Sequence, residues 1–60
     1  QSYDFMTVAG SKYVVVTGVN CRMRNYQAAS PITVLNPLAQ VSFINCANRD
    51  GDIFEYKYGI

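Results

Sequence analysis

The sequence predicts an all-β domain: six short antiparallel strands folded as a β-sandwich of two three-stranded sheets, or closed into a small barrel. Three observations carry that prediction. Apolar and polar residues alternate with period two along most of the chain. Turn residues (Gly10-Ser11, Gly18, Asn36-Pro37, Asp50-Gly51) punctuate the alternation at short intervals. Helix signals are nearly absent, the best stretch, 25–30, being short and stopped by Pro31.

Taken in order, the first segment, 2–9, sets Tyr3, Phe5 and Thr7 against Met6 and Val8 and ends at Gly10-Ser11. The second, 13–17, is a run of β-branched residues behind Tyr13. The third, 20–26, alternates Cys21 and Met23 with Arg22 and Arg24. With a turn at Gly18-Val19, or a longer one through Asn20, segments two and three form a hairpin; the residues leave its register open. In either register Cys21 and Met23 face the core and Arg22 and Arg24 face solvent. The fourth segment, 32–35, closes at Asn36-Pro37, where proline fixes φ and cannot donate to a ladder. The fifth and sixth, 39–46 and 53–58, flank Asp50-Gly51, the strongest short hairpin signal in the chain. A two-residue type I′ loop there pairs Ala47 with Phe54, Asn45 with Tyr56 and Phe43 with Tyr58. One face then collects Val41, Phe43, Phe54, Tyr56 and Tyr58 as core, and the other carries Ser42, Ile44, Cys46, Ile53, Glu55 and Lys57. No internal repeat or low-complexity tract is evident.

Sixty residues are read as one domain, 1–60, with a thin core, because a chain of this size buries only about 60% of its unfolded surface. Half of the residues are hydrophobic, which sets the chain apart from disordered tails. A net charge of +1, from five basic and four acidic side chains, gives no long-range field toward nucleic acid or membrane. No window approaches the roughly 18 apolar residues of a membrane span. Beginning at Gln1 rather than Met, the chain reads as a mature product with any export signal removed.

Cys21 and Cys46 permit a single disulfide, the usual staple of small exported domains. Closing a loop of about 26 residues stabilises by on the order of 3.5 kcal/mol in the chain-entropy model. The alternative is two thiols acting as small hydrophobes. A metal site is not expected, since there is no histidine and no third cysteine. Catalysis also has little to work with. The usual general base is missing, no phosphate loop or nucleophile elbow is present, and Asp50, Asp52 and Glu55 are explained by a turn and by strand alternation. The chain is read as a non-enzyme without cofactor.

The candidate binding residues are Arg22 and Arg24 with Tyr13 and Lys12; a Gly18-Val19 turn puts Tyr13 on the arginine face, whereas the longer loop through Asn20 puts it inside. Paired arginines also keep a short strand soluble and guard it against edge pairing. Arginine and tyrosine are favoured in protein interfaces, which ranks a protein partner above nucleic acid. The alternative is a small basic barrel that stacks single strands on aromatic side chains.

The strand run YVVVTG, the pair Cys21 and Cys46, and the closing hairpin FINCANRDGDIFEYKY resemble the MAX effectors, the avirulence and ToxB-like proteins secreted by plant-pathogenic fungi. The resemblance implies a sandwich of two three-stranded antiparallel sheets, secretion, delivery into host cells, and virulence through binding a host protein. It implies as partners a host plant protein, including heavy-metal-associated domains carried by immune receptors, met by a monomer. One departure stands: the family's disulfide ties the first strand to a region near the fifth, whereas Cys21 falls in the third segment here.

Overall fold

The structure is a computed structural model that describes residues 4–27, 29 and 31–59. Among the described residues it is all-β, with five strands: β1 (Met6–Val8), β2 (Val14–Val19), β3 (Ile32–Val34), β4 (Ala39–Ala47) and β5 (Ile53–Tyr58). No helix among the described residues is long and apolar enough to cross a membrane. The strands form a two-stranded sheet, β1-β3, and a three-stranded sheet ordered β2-β4-β5, and neither closes into a barrel. The predicted six strands and two three-stranded sheets are therefore corrected to five strands in sheets of two and three. Ser2 and Tyr3, in the first predicted segment, lie outside the described residues.

Strand direction is the larger correction. β1 pairs parallel with β3, Met6 facing Ile32 and Val8 facing Val34. β2 pairs parallel with β4, Val14 facing Ala39 through to Val19 facing Ile44. Only β4 and β5 are antiparallel. The chain crosses from the small sheet to the large one twice, β1 to β2 and then β3 to β4, and each crossing is an arch. The second arch lies directly on the first. Leu35 and Asn36 donate backbone N–H groups to the Val8 carbonyl at 2.8 and 3.1 Å. The Asn36 side chain then fastens the two bends together, its Nδ2 donating to the Lys12 carbonyl at 2.8 Å while its Oδ1 accepts from the Leu38 N–H at 2.9 Å. This satisfies an asparagine only 1% exposed, as a buried amide requires. Asn36-Pro37 is thus a turn, as its residues imply, and it is also the joint between arches.

Stacked in this way, the two arches are an internal repeat that the sequence reading does not detect. Met6-Thr7-Val8 lies over Ile32-Thr33-Val34, and Val16-Thr17 over Val41-Ser42. Register continues past the strand ends, since Arg22 bridges Ala47 in parallel; that sets Val19-Asn20-Cys21 beside Ile44-Asn45-Cys46. The spacing differs by one residue between the two sheets, 26 from Met6 to Ile32 and 25 from Val14 to Ala39. That slip, with few identities, hides the repeat. Each arch is one rung of a short β-solenoid, in which a repeat buries its apolar face against its neighbour.

The predicted hairpin of segments two and three does not form. Gly18 lies inside β2 and is buried. Its lack of a side chain serves packing rather than turning, because a Cβ there would fall 2.6 Å from Cδ1 of Phe43. Segment three is no strand; it continues past β2 and makes the single bridge at Arg22.

In the β4–β5 hairpin, Ala47 faces Ile53, Cys46 faces Phe54 and Phe43 faces Tyr56, with a bulge between Phe43 and Cys46. The expected partners were Phe54 for Ala47 and Tyr58 for Phe43. The turn is not type I′: Gly51 has φ +86° but Asp50 is not left-handed. Instead the Gly51 N–H donates to the Asn48 carbonyl at 3.0 Å, and Asn48 Oδ1 accepts from the Asp50 and Asp52 N–H groups at 2.9 and 3.0 Å. An asparagine side chain that mimics a backbone turn has displaced the Asp-Gly turn by one residue.

The bulge also moves a cysteine. Asn45 sits at φ +53°, and the extra residue inverts the alternation, so that Cys46, expected on the outer face, joins Val41 and Phe43 in the core at 0% exposure. Val8, Ile32 and Ala39 complete the buried set. Of the expected core face, Tyr58 is 37% exposed. Tyr26 packs from outside the sheets, edge-on to Phe5 at 5.4 Å and tilted on Phe54 at 4.7 Å.

Candidate partner-binding surfaces

The strand β2 decides where the predicted binding residues go. Lys12 and Tyr13 precede it, Arg22 and Arg24 follow it, and all four are exposed, Tyr13 by 68%. Because β2 runs straight through instead of folding back at Gly18, the two pairs stand beyond its opposite ends, with the roughly 20 Å length of the strand, at about 3.3 Å per residue, between them. One chain does not bring Tyr13 and Lys12 together with the arginines.

Arg22 and Arg24 instead belong to a corner built from the segment after β2 and the tip of the β4–β5 hairpin. The Ala47 N–H donates to the Cys21 carbonyl at 2.9 Å, and the Met23 N–H donates to the Ala47 carbonyl at 2.8 Å. Arg49 then holds the far side: its N–H donates to the Tyr26 carbonyl at 2.8 Å and its Nη1 donates to Gln27 Oε1 at 3.0 Å. Residues 21–27 are thus pinned at both ends, Met23 and Tyr26 turn inward, and Arg22 and Arg24 project outward. Arg49 joins them as a third cation that the sequence reading did not single out. Its one available signal is its place in the repeat, where it follows Cys46 by the same interval as Arg24 follows Cys21. Asp50 and Asp52 in the adjoining turn bring the local charge back toward neutrality.

The start of the corner is a bend in both strands. Asn20 and Asn45, at φ +56° and +53°, are left-handed in adjacent strands, a conformation asparagine tolerates better than most residues. Asn45 Nδ2 donates to Asn20 Oδ1 at 2.6 Å. The two rungs bend together, and this hydrogen bond ties the bends.

Cys21 and Cys46 occupy matching positions in the two rungs, yet both are free thiols, Cys21 exposed and Cys46 buried. The expected bridge is absent. Each Sγ instead donates to the carbonyl two residues back, Cys21 to Val19 at 3.3 Å and Cys46 to Ile44 at 3.4 Å. The bends at Asn20 and Asn45 shift the alternation alike in both strands, so the two cysteines share the core side: Cys46, expected on the outer face, is buried, whereas Cys21, expected inward and lying 3.7 Å from the Cβ position of Gly18, is left exposed.

A cavity of about 640 Å³ opens at the end of the first rung, lined largely by Met6, Val8, Tyr13, Val14, Val16 and Asn36. It is mainly apolar. Among the described residues, no group of three or more histidine, cysteine or acidic side chains is placed to hold a metal ion. No protein-family model matches the chain, and no significant match is found among curated proteins or solved structures.

Proposed function

We propose that the chain is a non-catalytic recognition domain, a secreted effector that acts in the host plant by binding a host protein through the arginine corner at Arg22 and Arg24. The observation that carries this reading is the corner itself. Two arginines stand exposed on a segment whose backbone is fastened on both sides to the β4–β5 hairpin. An arginine on a pre-ordered backbone loses less conformational freedom on binding than one on a loose loop, and its guanidinium offers a fork of donors to carboxylates and carbonyls. The host setting comes from the sequence resemblance; the parallel rungs differ from the antiparallel sandwich that resemblance implies, so the weight rests on the corner.

The test is capture from plant lysate, and of a purified heavy-metal-associated domain, by the wild type and by Arg22→Glu/Arg24→Glu. Both side chains are exposed, so the unfolding free energy is expected to hold within about 0.5 kcal/mol, while capture is lost. Equal capture by a folded double variant refutes the assignment of this corner.

A further inference from the structure

We infer that the open face of the first rung is a stacking surface for another parallel rung of the same repeat. The interface it would form already exists once in the molecule, between the first rung and the second, and four observations show the first rung prepared to make it again.

Core positions lose cover from the second rung to the first. Ala39, Val41 and Cys46 are 2%, 0% and 0% exposed, whereas their counterparts Val14 and Val16 are half-buried and Cys21 is exposed. The second rung is covered by the first; the first is covered by nothing among the described residues, and the 640 Å³ cavity opens there.

The hydrogen-bond ladder is unfinished in the same direction. The Asn20 N–H donates to the Ile44 carbonyl at 3.0 Å. The alternation of a strand backbone therefore aims Val14, Val16 and Gly18 at β4 and leaves the N–H and C=O groups of Val15, Thr17 and Val19 pointing away from it. The asparagine pair has the same polarity. Asn45 gives its amide hydrogen to Asn20 Oδ1, while the Nδ2 of Asn20 has no acceptor among the described residues, and a third asparagine in register would supply one.

Edge protection is distributed to match. β5 covers β4 and carries Glu55 and Lys57, charges that discourage further pairing. β2 carries no charge or proline over Val14–Val19, and it exposes Val15 and Val19 by 52% and 54%. The stack is capped at one end of its large sheet and bare at the other.

The occupant is consequently an extended segment that repeats this chain's own pattern: β-branched residues over Val14 and Val16, Thr or Ser over Thr17, and Asn-Cys over Asn20-Cys21. A second copy of the present chain does not supply it in parallel, because β5 caps its trailing rung. This surface is separate from the Arg22–Arg24 corner, and the inference does not depend on the partner read there.

The experiment adds a rung to the full chain, as a tandem duplicate of residues 4–29 placed directly before residue 4, with Cys21→Ser in the duplicate alone. Native-state alkylation and urea unfolding are compared with those of the unextended chain and of a chain extended by the same residues scrambled. The expected result is one cooperative transition, an m-value raised roughly 1.4-fold in line with the chain added, and alkylation of the original Cys21 slowed at least about tenfold, since opening of a stacked rung must precede labelling. Asn20→Ala in the duplicate should return part of that protection. An unchanged m-value with Cys21 labelled as fast as in the scrambled control overturns the inference. So does a dimer of the unextended chain in sedimentation that shields Cys21, which would assign the face to a second copy.

Discussion

Replacing Gly18 by alanine tests the claim that this glycine serves a ring and not a turn. An ideal Cβ on Gly18 falls 2.6 Å from Cδ1 and 3.0 Å from Cε1 of Phe43, against an ordinary carbon–carbon separation of about 3.5–4.0 Å. The ring must retreat by about 1 Å. It has little room, being 6% exposed and flanked by Phe54 and Tyr56 at centroid distances of 6.5 Å. Overpacking of this kind costs about 1–3 kcal/mol. Alanine also narrows the unfolded ensemble, which returns about 0.4–1 kcal/mol, so the net loss is about 1–2 kcal/mol. With an m-value near 1 kcal/mol/M, the low end for small domains, the urea midpoint should fall by about 1–2 M. The same substitution in a Phe43→Leu background should cost markedly less, because the clashing edge is gone, and the double-mutant cycle isolates that coupling. A neutral or stabilising Gly18→Ala would refute the packing role, and a loss undiminished in the Phe43→Leu background would point instead to a backbone conformation at Gly18 that alanine cannot adopt.

Two further outcomes follow from the paired bends. Asn45→Ala loses the hydrogen bond to Asn20 and places a Cβ-bearing residue without a polar side chain at φ +53°, for about 1.5–2.5 kcal/mol in urea unfolding; Asn45→Gly keeps the conformation and should lose only about 1 kcal/mol, so glycine must rank above alanine. Thiol alkylation in native buffer should modify exposed Cys21 promptly and buried Cys46 only with unfolding; protection of both until a reductant is added would show a bridge and refute the thiol state.

Turn chemistry was legible where it is local. Asn36-Pro37 forms the turn its residues imply, and β5 keeps the predicted bounds, because an asparagine oxygen reaching its own backbone and a period-two pattern depend on a few neighbouring residues. At Asp50-Gly51 the region was right and the turn type was not, since Asn48, outside the dipeptide, supplied the oxygen that set the loop. The outward placement of Arg22 and Arg24 was also legible, whereas the group they join was not: Arg49 reaches them only because the hairpin tip packs against residues 21–27.

By itself, the sequence determined that this protein is built of short strands with almost no helix, that a thin apolar core must be shared among them, and that its two neighbouring arginines face water. Tertiary structure decided the direction of the strands. An alternating strand buries the same face whether its neighbour runs parallel or antiparallel, so Val14–Val19 reads equally well as half of a hairpin or as one rung beneath another. What settles it is distant in sequence: Phe43 needs the space over Gly18, Asn36 needs the Lys12 carbonyl, and Asn45 needs Asn20. Each is satisfied only when the second arch lies parallel on the first, and that stacking, invisible to a reading of one segment at a time, separates Tyr13 from the arginines and carries Cys46 into the core.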